Sequence, residues 1–337
     1  MNQSSGATME MNAPKKSSYF SWPLFKQSFK ANWVLWLVLS LGSAAIFLIV
    51  NLVVGTKSIF TNIDIGKVMI YVQDEKMDWL QILGLLEAMG FSLSRIQVMS
   101  QIDLNSIMND IIYKIAGVLL PMIYVMIAGN KLLAAQVSDG SMAYVLSTPT
   151  ARKKVVRTQY FFLFVSLTAM YIIISIIALG SGSIANFIVN QSAEKETPFN
   201  YFFLKTFLYC LGSYVAMFAL SGICFGASAI CNKSNKSIAI GGGVCVICFI
   251  CCILGLFANK VFIACGIGVK EMDVFNYLSV FTLIDADSLS QFCKYATQYP
   301  NVAASYDWIW KDCIAFGFGI VFSLVGGIWF TKKDLPL

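Results

Sequence analysis

The sequence predicts an all-α, polytopic membrane protein with six transmembrane helices. The 337-residue chain is 58% hydrophobic and 12% charged, and an ordinary soluble domain has about twice that charged fraction. Apolar runs of about 20 residues recur along the chain, and each is long enough to cross the roughly 30 Å hydrocarbon core of a bilayer. A transmembrane β-barrel would instead show alternating segments of about ten residues, which the sequence lacks.

The residues before the first apolar run predict two elements. Residues 1–18 are polar and predict a disordered cytosolic tail. Residues 19–33 predict an amphipathic elbow helix in the membrane interface, because its aromatic residues recur at spacings of three and four and share one face. This face, the expected interfacial anchor, comprises Trp22, Phe25, Phe29 and Trp33. The alternative is a simple juxtamembrane extension of the first span.

A six-span domain is predicted over residues 34–337. The spans fall at about 34–54, 115–136, 160–189, 203–230, 238–259 and 313–330. Two outer segments, 55–114 and 260–312, contain further short helix-like stretches. Small residues in the last two spans predict close helix contacts. They are Gly241, Gly242, Gly243, Gly317, Gly319, Gly326 and Gly327.

Basic residues predict the orientation of the spans. With both termini in the cytosol, the inner segments hold 13 of the 24 Lys and Arg residues but only 3 of the 18 Asp and Glu residues. We therefore expect a multi-pass protein of a bacterial plasma membrane. The formal net charge of +6 does not indicate nucleic-acid binding, because no basic run alternates with exposed aromatics in a soluble domain.

The predicted spans hold almost no ionisable side chains. No Asp or Glu falls mid-span, which counts against an ion-coupled carrier, and no HExxH motif indicates a metalloprotease. The string nearest to a phosphate-binding loop, 55–58, lacks the upstream glycine and falls in an outer segment. The sequence therefore predicts that this chain is not an enzyme and binds no cofactor, so that a partner must supply the energy for any active transport.

The chain has ten cysteines and no histidine. The string CVICFICC at 245–252 has a spacing that hints at an iron–sulfur or zinc site. We favour the reading of these cysteines as small hydrophobes, since they fall mid-span with no His or carboxylate beside them. Cys265 and Cys293 fall in one outer segment, and whether they form a disulfide stays open.

Residues 138–149 predict a short helix held beneath the membrane between the second and third spans. Ser138 and Asp139 suit its start, and Pro149 disfavours helix at Thr148 and so ends it. An apolar ridge at i, i+3 and i+4 is expected to insert into a groove on a cytosolic partner. The ridge consists of Met142, Val145 and Leu146, with Asp139 and Arg152 as polar rim contacts. The alternative is an ordinary basic inner loop that contains an interfacial helix.

The order D-G-S-x-x-x-x-L-S-T-P-x-x-R at 139–152 resembles the coupling helix of type-two, export-type permeases of ATP-binding-cassette (ABC) transporters. The matching residues are Gly140, Ser141, Leu146, Ser147, Thr148, Pro149 and Arg152. The family also has an N-terminal elbow helix and six spans, so the architecture is similar over nearly the whole chain. The motif covers only about 137–159. This chain departs from the family in having Asp139 where Glu is common, and in the large outer segment 55–114.

The resemblance implies a permease subunit of an ATP-driven ABC exporter. A second copy, or a related permease, would complete the pathway, and separate cytosolic ABC ATPase subunits that bind ATP and Mg²⁺ would dock at 138–152. A pathway without buried charge suits an apolar or amphipathic cargo drawn from the membrane lipid. The outer segment resembles that of permeases exporting amphipathic toxin peptides, which favours peptide export. The alternatives are a non-transporting sensor or scaffold bound to an ATPase, and a secondary carrier or channel.

Overall fold

The computed structural model of the chain describes residues 19–56, 104–148, 150–192, 199–258, 269–297 and 304–334. The predicted tail 1–18, residues 57–103 of the predicted outer segment 55–114, Pro149 and Cys265 lie outside these residues.

The described residues are mostly α-helical, with no strand among them. The helices are α1 (Trp22–Thr56), α2 (Leu104–Leu132), α3 (Ala134–Ser138), α4 (Ser141–Ser147), α5 (Arg152–Ser192), α6 (Phe199–Ile230), α7 (Ser234–Leu256), α8 (Val274–Leu278), α9 (Ala286–Thr297) and α10 (Asp307–Lys332). Two 3₁₀ turns, Lys270–Asp273 and Val280–Leu283, flank α8.

Six helical segments in the described part of the chain are long and apolar enough to cross a membrane. They are Trp22–Ile49, Gly117–Ser138, Arg152–Ile188, Phe203–Ile230, Ser234–Gly255 and Asp307–Lys332. The predicted all-α, six-span fold is therefore confirmed. The fourth of these segments, in α6, is the most deeply buried and contacts every other spanning helix except α1 extensively.

The helix α1 runs without a break across the boundary predicted near residue 33. The separate elbow helix over 19–33 is thus replaced by a continuous helix, which corresponds to the alternative of a juxtamembrane extension. Trp22, Phe29 and Trp33 are 65%, 52% and 49% exposed, so the predicted aromatic face points mostly away from the bundle. Phe25 differs, because its ring packs edge-on against Phe162 of α5 at a centroid distance of 5.6 Å.

The face that α1 turns towards α5 carries polar side chains. Hydrogen bonds of 2.8 to 3.1 Å join Ser21 to Thr158, Ser28 to Gln159, Trp36 to Ser166 and Asn51 to Ser181. In every pair the residue at or just before α1 donates, and the residue of α5 accepts. Polar groups in hydrocarbon have no water to bind, so these pairings fix the register of the two helices. We call this row of bonds the α1–α5 polar seam.

The helices α6 and α10 touch through glycine backbones. A Cβ atom added to Gly222 would lie 2.2 Å from the carbonyl oxygen of Gly319, and one added to Gly326 would lie 2.6 Å from the Cα of Gly226. Both distances are shorter than any real carbon contact. Small residues let transmembrane backbones approach in this way, so the predictions for Gly319 and Gly326 are confirmed. Gly317 faces open space and does not make such a contact.

Replacement of Gly222 by alanine is expected to force α6 and α10 apart, because the new methyl group would meet backbone atoms that cannot rotate away. We expect a loss of about 1–3 kcal/mol of stability, seen as a lower unfolding temperature of the detergent-purified protein. Gly317→Ala on α10 is the matched control and should leave that temperature unchanged. Equal unfolding temperatures for both variants would contradict the backbone contact.

Candidate functional site

One end of the helix bundle gathers the turns on either side of α3 and α4, the α6–α7 turn and the end of α10. Exposed cations at this end include Lys131, Lys153, Arg157, Lys233, Lys236 and Lys332, and the described acidic residues there are Asp139 and Asp334. The other end carries α8, α9 and several described acidic side chains, among them Asp285 and Asp307. The charge asymmetry of the sequence is therefore an asymmetry between the two ends of the bundle. We call the first of them the basic end.

The predicted coupling helix over 138–149 is shorter than expected and begins later. Ser138 ends α3, Asp139 lies in the turn, and Gly140 has a φ of 71°, in the left-handed region that favours glycine. Ser138 and Asp139 therefore do not start α4, which begins at Ser141. Thr148 is extended, with φ −77° and ψ 157°, and ends α4 as predicted for a residue that precedes proline.

The apolar ridge of α4 faces the interior of its own chain. Met142 is fully buried in the main hydrophobic core, and Val145 and Leu146 are half-buried against that core. The prediction that Met142 contacts a partner is wrong for this structure, because its side chain has no surface to offer. Val145 and Leu146 offer only part of theirs. The apolar face is occupied because α4 packs against α3 and its ridge joins the main hydrophobic core, which also contains residues of α2 and α5.

The opposite face of α4 is open. Tyr144 is 81% exposed and projects from the middle of the helix, with the exposed side chains of Ser141 and Ser147 on either side. The Ser147 hydroxyl donates to the carbonyl oxygen of Tyr144 at 2.9 Å, and the Thr148 hydroxyl donates to that of Val145. We call this surface the α4 outer face. The sequence does show Tyr144 off the ridge, but not which of the two faces stays free.

Arg152 and Lys333 join three helices at the basic end. The Arg152 guanidinium donates to the Lys333 carbonyl oxygen at 2.8 Å. The Lys333 ammonium in turn donates to the Ile230 and Ala229 carbonyl oxygens at 2.8 and 3.2 Å, at the C-terminus of α6. Burial lowers the pKa of the Lys333 ammonium, while the nearby Cys231 thiol acts in the opposite direction. Arg152, a predicted rim contact, therefore holds the start of α5 to the end of α10, whereas Asp139, the other predicted rim contact, is exposed.

Aromatic and basic side chains surround the start of α1. The Arg157 guanidinium lies 5.6 Å from the centre of the Tyr19 ring, a cation–π distance. Trp22 stacks on Phe25 at 5.5 Å, and Phe20 packs edge-on against Phe161 of α5. This cluster joins the N-terminal part of α1 to α5, so part of the predicted anchor serves packing within the chain.

A groove of about 370 Å³ opens laterally between α5 and α6. Ile172 and Ile176, which are 55% and 65% exposed, form its outer wall. A hydrogen bond of 3.0 Å between the Thr168 and Tyr214 hydroxyls gives the groove a polar point within apolar surroundings. The sequence did not indicate this groove, because its walls come from two spans whose relative rotation only the fold determines.

The cysteines of CVICFICC lie along α7 among other apolar side chains. The Cys245 and Cys224 sulfurs are 3.4 Å apart and buried, and both thiols are free. Among the described residues, no group of three or more His, Cys, Asp or Glu side chains is arranged to hold a metal ion. Cys293 on α9 is buried and free, and burial raises the pKa of its thiol to about 11. Its proposed partner Cys265 lies outside the described residues.

Comparison with known proteins gives no match. No protein-family model matches the chain, and neither the curated proteins nor the solved structures include a significantly similar one.

Alanine substitutions at Met142 and Tyr144 test whether one face of α4 is buried and the other exposed. We expect Met142→Ala to lower the free energy of unfolding by about 2–5 kcal/mol, because it leaves a cavity in a fully packed site. Tyr144→Ala removes a side chain that is mostly in solvent and should change it by about 0.5 kcal/mol or less. Denaturation of both purified variants in detergent measures the difference. An unchanged free energy of unfolding for the Met142→Ala protein would show that the ridge is not held in the core.

Replacement of Arg152 by glutamine is expected to release the start of α5 from the end of α10. The loss of one charge-assisted hydrogen bond should lower stability by roughly 1.5–3 kcal/mol, and Lys153→Gln, at an exposed neighbouring cation, should have no such effect. Hydrogen exchange of residues 328–334 reports the same contact locally. Unchanged exchange in the Arg152→Gln protein would argue against the junction.

Proposed function

We propose that this chain is the membrane-embedded permease subunit of an ATP-driven ABC exporter, with the α4 outer face as the docking surface for a separate ATPase. The observation that carries this proposal is the geometry of α4. Its apolar face is embedded in the membrane-domain core, while its other face presents Tyr144 at the basic end. A short helix of this kind suits a part that receives a force from outside and passes it into the bundle. The sequence pattern at 139–152 supports the same proposal.

Force on α4 would travel along two routes. Met142 lies in one continuous core with Leu132 at the end of α2, with Leu133 in the turn that follows, and with Val155 in the first turn of α5. The start of α5 is joined to α10 and α6 through Arg152 and Lys333. Displacement of α4 is therefore expected to tilt α2 and α5 together, since packed cores move as units rather than deform continuously.

In this proposal the ATPase partner binds ATP and Mg²⁺, and closure of its dimer displaces the docked α4. A second copy of the chain, or a related permease, completes the pathway. The orientation follows from the positive-inside rule, which puts the basic end in the cytosol of a bacterium. The α5–α6 groove supports an apolar or amphipathic cargo, because it is lined mainly by apolar side chains and opens towards the bilayer. Peptide is the favoured cargo class.

Replacement of Tyr144 by aspartate tests the docking surface. We expect a folded protein whose affinity for the proposed cassette-type ATPase partner falls roughly thirtyfold or more, as for loss of an interface aromatic worth about 2 kcal/mol. Co-purification from nanodiscs and peptide-stimulated ATPase activity are the measurements. Tyr277→Asp is the control, because Tyr277 is 84% exposed at the opposite end of the bundle.

The outcomes separate the rival functions. A Tyr144→Asp protein that keeps its unfolding temperature, full ATPase association and full stimulation would refute the α4 docking surface. ATPase association without any peptide transport would select the non-transporting sensor or scaffold. Transport that persists without an ATPase subunit would select a secondary carrier or channel.

A further inference from the structure

A groove of about 540 Å³ lies on the outside of α10 at the basic end. It is lined by Val325, Ile328, Trp329, Lys332 and Lys333. Val325, Ile328 and Trp329 are 52%, 56% and 57% exposed, whereas the opposite face of α10 is buried against its neighbours. The groove therefore opens outward from the bundle, on the surface that a membrane-embedded chain turns to lipid.

The side chains of the groove change character along the helix axis. Val325 and Ile328 lie deepest in the span, Trp329 follows, and Lys332 lies at the helix end one turn further on. Tryptophan is typical of the level where hydrocarbon meets headgroups, and a lysine at a helix end reaches the headgroups themselves. The order apolar, indole, ammonium matches the order acyl chain, glycerol, phosphate along one leaflet.

The charged side chains at the groove are basic, with the exception of Asp334. Lys332 is exposed and has no hydrogen-bond or ion-pair partner in the part of the chain that the structure describes. Lys333 and Arg152 lie beside it and are directed at backbone carbonyls, so their positive charges are not neutralised by a carboxylate. The nearest acidic residue in sequence, Asp334, is exposed. A ligand with a negative headgroup is therefore favoured over a zwitterionic one.

We propose that this groove binds one anionic phospholipid, with its phosphate at Lys332 and an acyl chain along Val325 and Ile328. The lipid covers the junction at which Lys333 joins α10 to α6 and Arg152 joins α5 to α10. Binding of the lipid is thus expected to stabilise the start of α5 and the ends of α6 and α10. The site is independent of the ATPase docking surface, since Tyr144 plays no part in it.

Native mass spectrometry of the purified full-length chain in detergent tests this proposal, because a micelle has no anionic surface that would attract lipid non-specifically. The probes are phosphatidylglycerol and phosphatidylcholine with identical acyl chains. We expect one retained phosphatidylglycerol and about tenfold weaker retention of phosphatidylcholine, because the choline cation cancels the net negative charge that attracts the basic side chains at the groove. Lys332→Gln should abolish the preference, and Lys332→Arg should restore it.

Lys236→Gln is the matched control, because Lys236 is an exposed lysine at the same end of the bundle on α7. It should leave the preference intact. An equal loss in Lys236→Gln and Lys332→Gln would overturn the site in favour of general surface charge. Full competition by soluble glycerol phosphate would also overturn it, since that ligand lacks the acyl chain that the groove is proposed to hold. A rise in unfolding temperature with phosphatidylglycerol, absent in Lys332→Gln, would support the role at the junction.

Discussion

The hydrogen bonds around Ser166 are the interaction on which the arrangement of the spans most depends. The Ser166 carbonyl oxygen accepts from the Trp36 indole of α1, and its hydroxyl accepts from Tyr124 of α2 at 2.7 Å. One residue of α5 therefore joins three spans in the middle of the bundle. Lipid tails are as apolar as leucine, so apolar surface alone does not select which helices meet in a membrane. Bonds that have no competing water make that selection, and the α1–α5 polar seam extends it along the helix.

The α6–α10 contact serves the same purpose by a different means. There the helices approach until backbone meets backbone, and the selection comes from the absence of side chains at Gly222 and Gly319. The α1–α5 polar seam and the glycine contact together position the helix ends at the basic end. At that end, α4 packs against the main hydrophobic core. The α4 outer face is consequently a product of the membrane domain: it is exposed because Met142 is held behind it.

The sequence predicted those features of the fold that depend on length and composition. Six spans, the end of α4 at Thr148 and the close approach at Gly319 and Gly326 all follow from properties of single segments. The rotation of each helix about its axis does not. For α1, the aromatic residues predicted a face towards the membrane interface. A bilayer accepts apolar side chains as readily as a protein core does, so these residues did not identify the face that contacts α5. The buried face is instead marked by Leu24, Ser28 and Asn32, a row at i, i+4 and i+8 that combines one apolar residue with two polar ones. The polar residues within the apolar run were therefore the feature of the sequence that marked the buried face of α1.

The same limit applied to the candidate site. The helical period correctly placed Met142, Val145 and Leu146 on one face of α4. It carried no information on whether a partner or the chain's own core would cover that face. The resemblance at 139–152 indicated a docking helix, and the docking surface was then assigned to the apolar side by analogy with helices that insert into grooves. Only the fold, in which Met142 is fully buried in the main hydrophobic core, shows that this side is already filled.

The turn between α3 and α4 needs glycine because of its backbone conformation and not because space for a side chain is lacking. Gly140 has a φ of 71°, yet a Cβ atom added to it would meet nothing within 4 Å. An L-amino acid at this position would be strained through its own backbone although space for its side chain is available. A D-alanine introduced at Gly140 by chemical synthesis would fit without strain. The corner that directs α4 beneath the bundle thus requires a particular chirality, and glycine is the only genetically encoded residue without one.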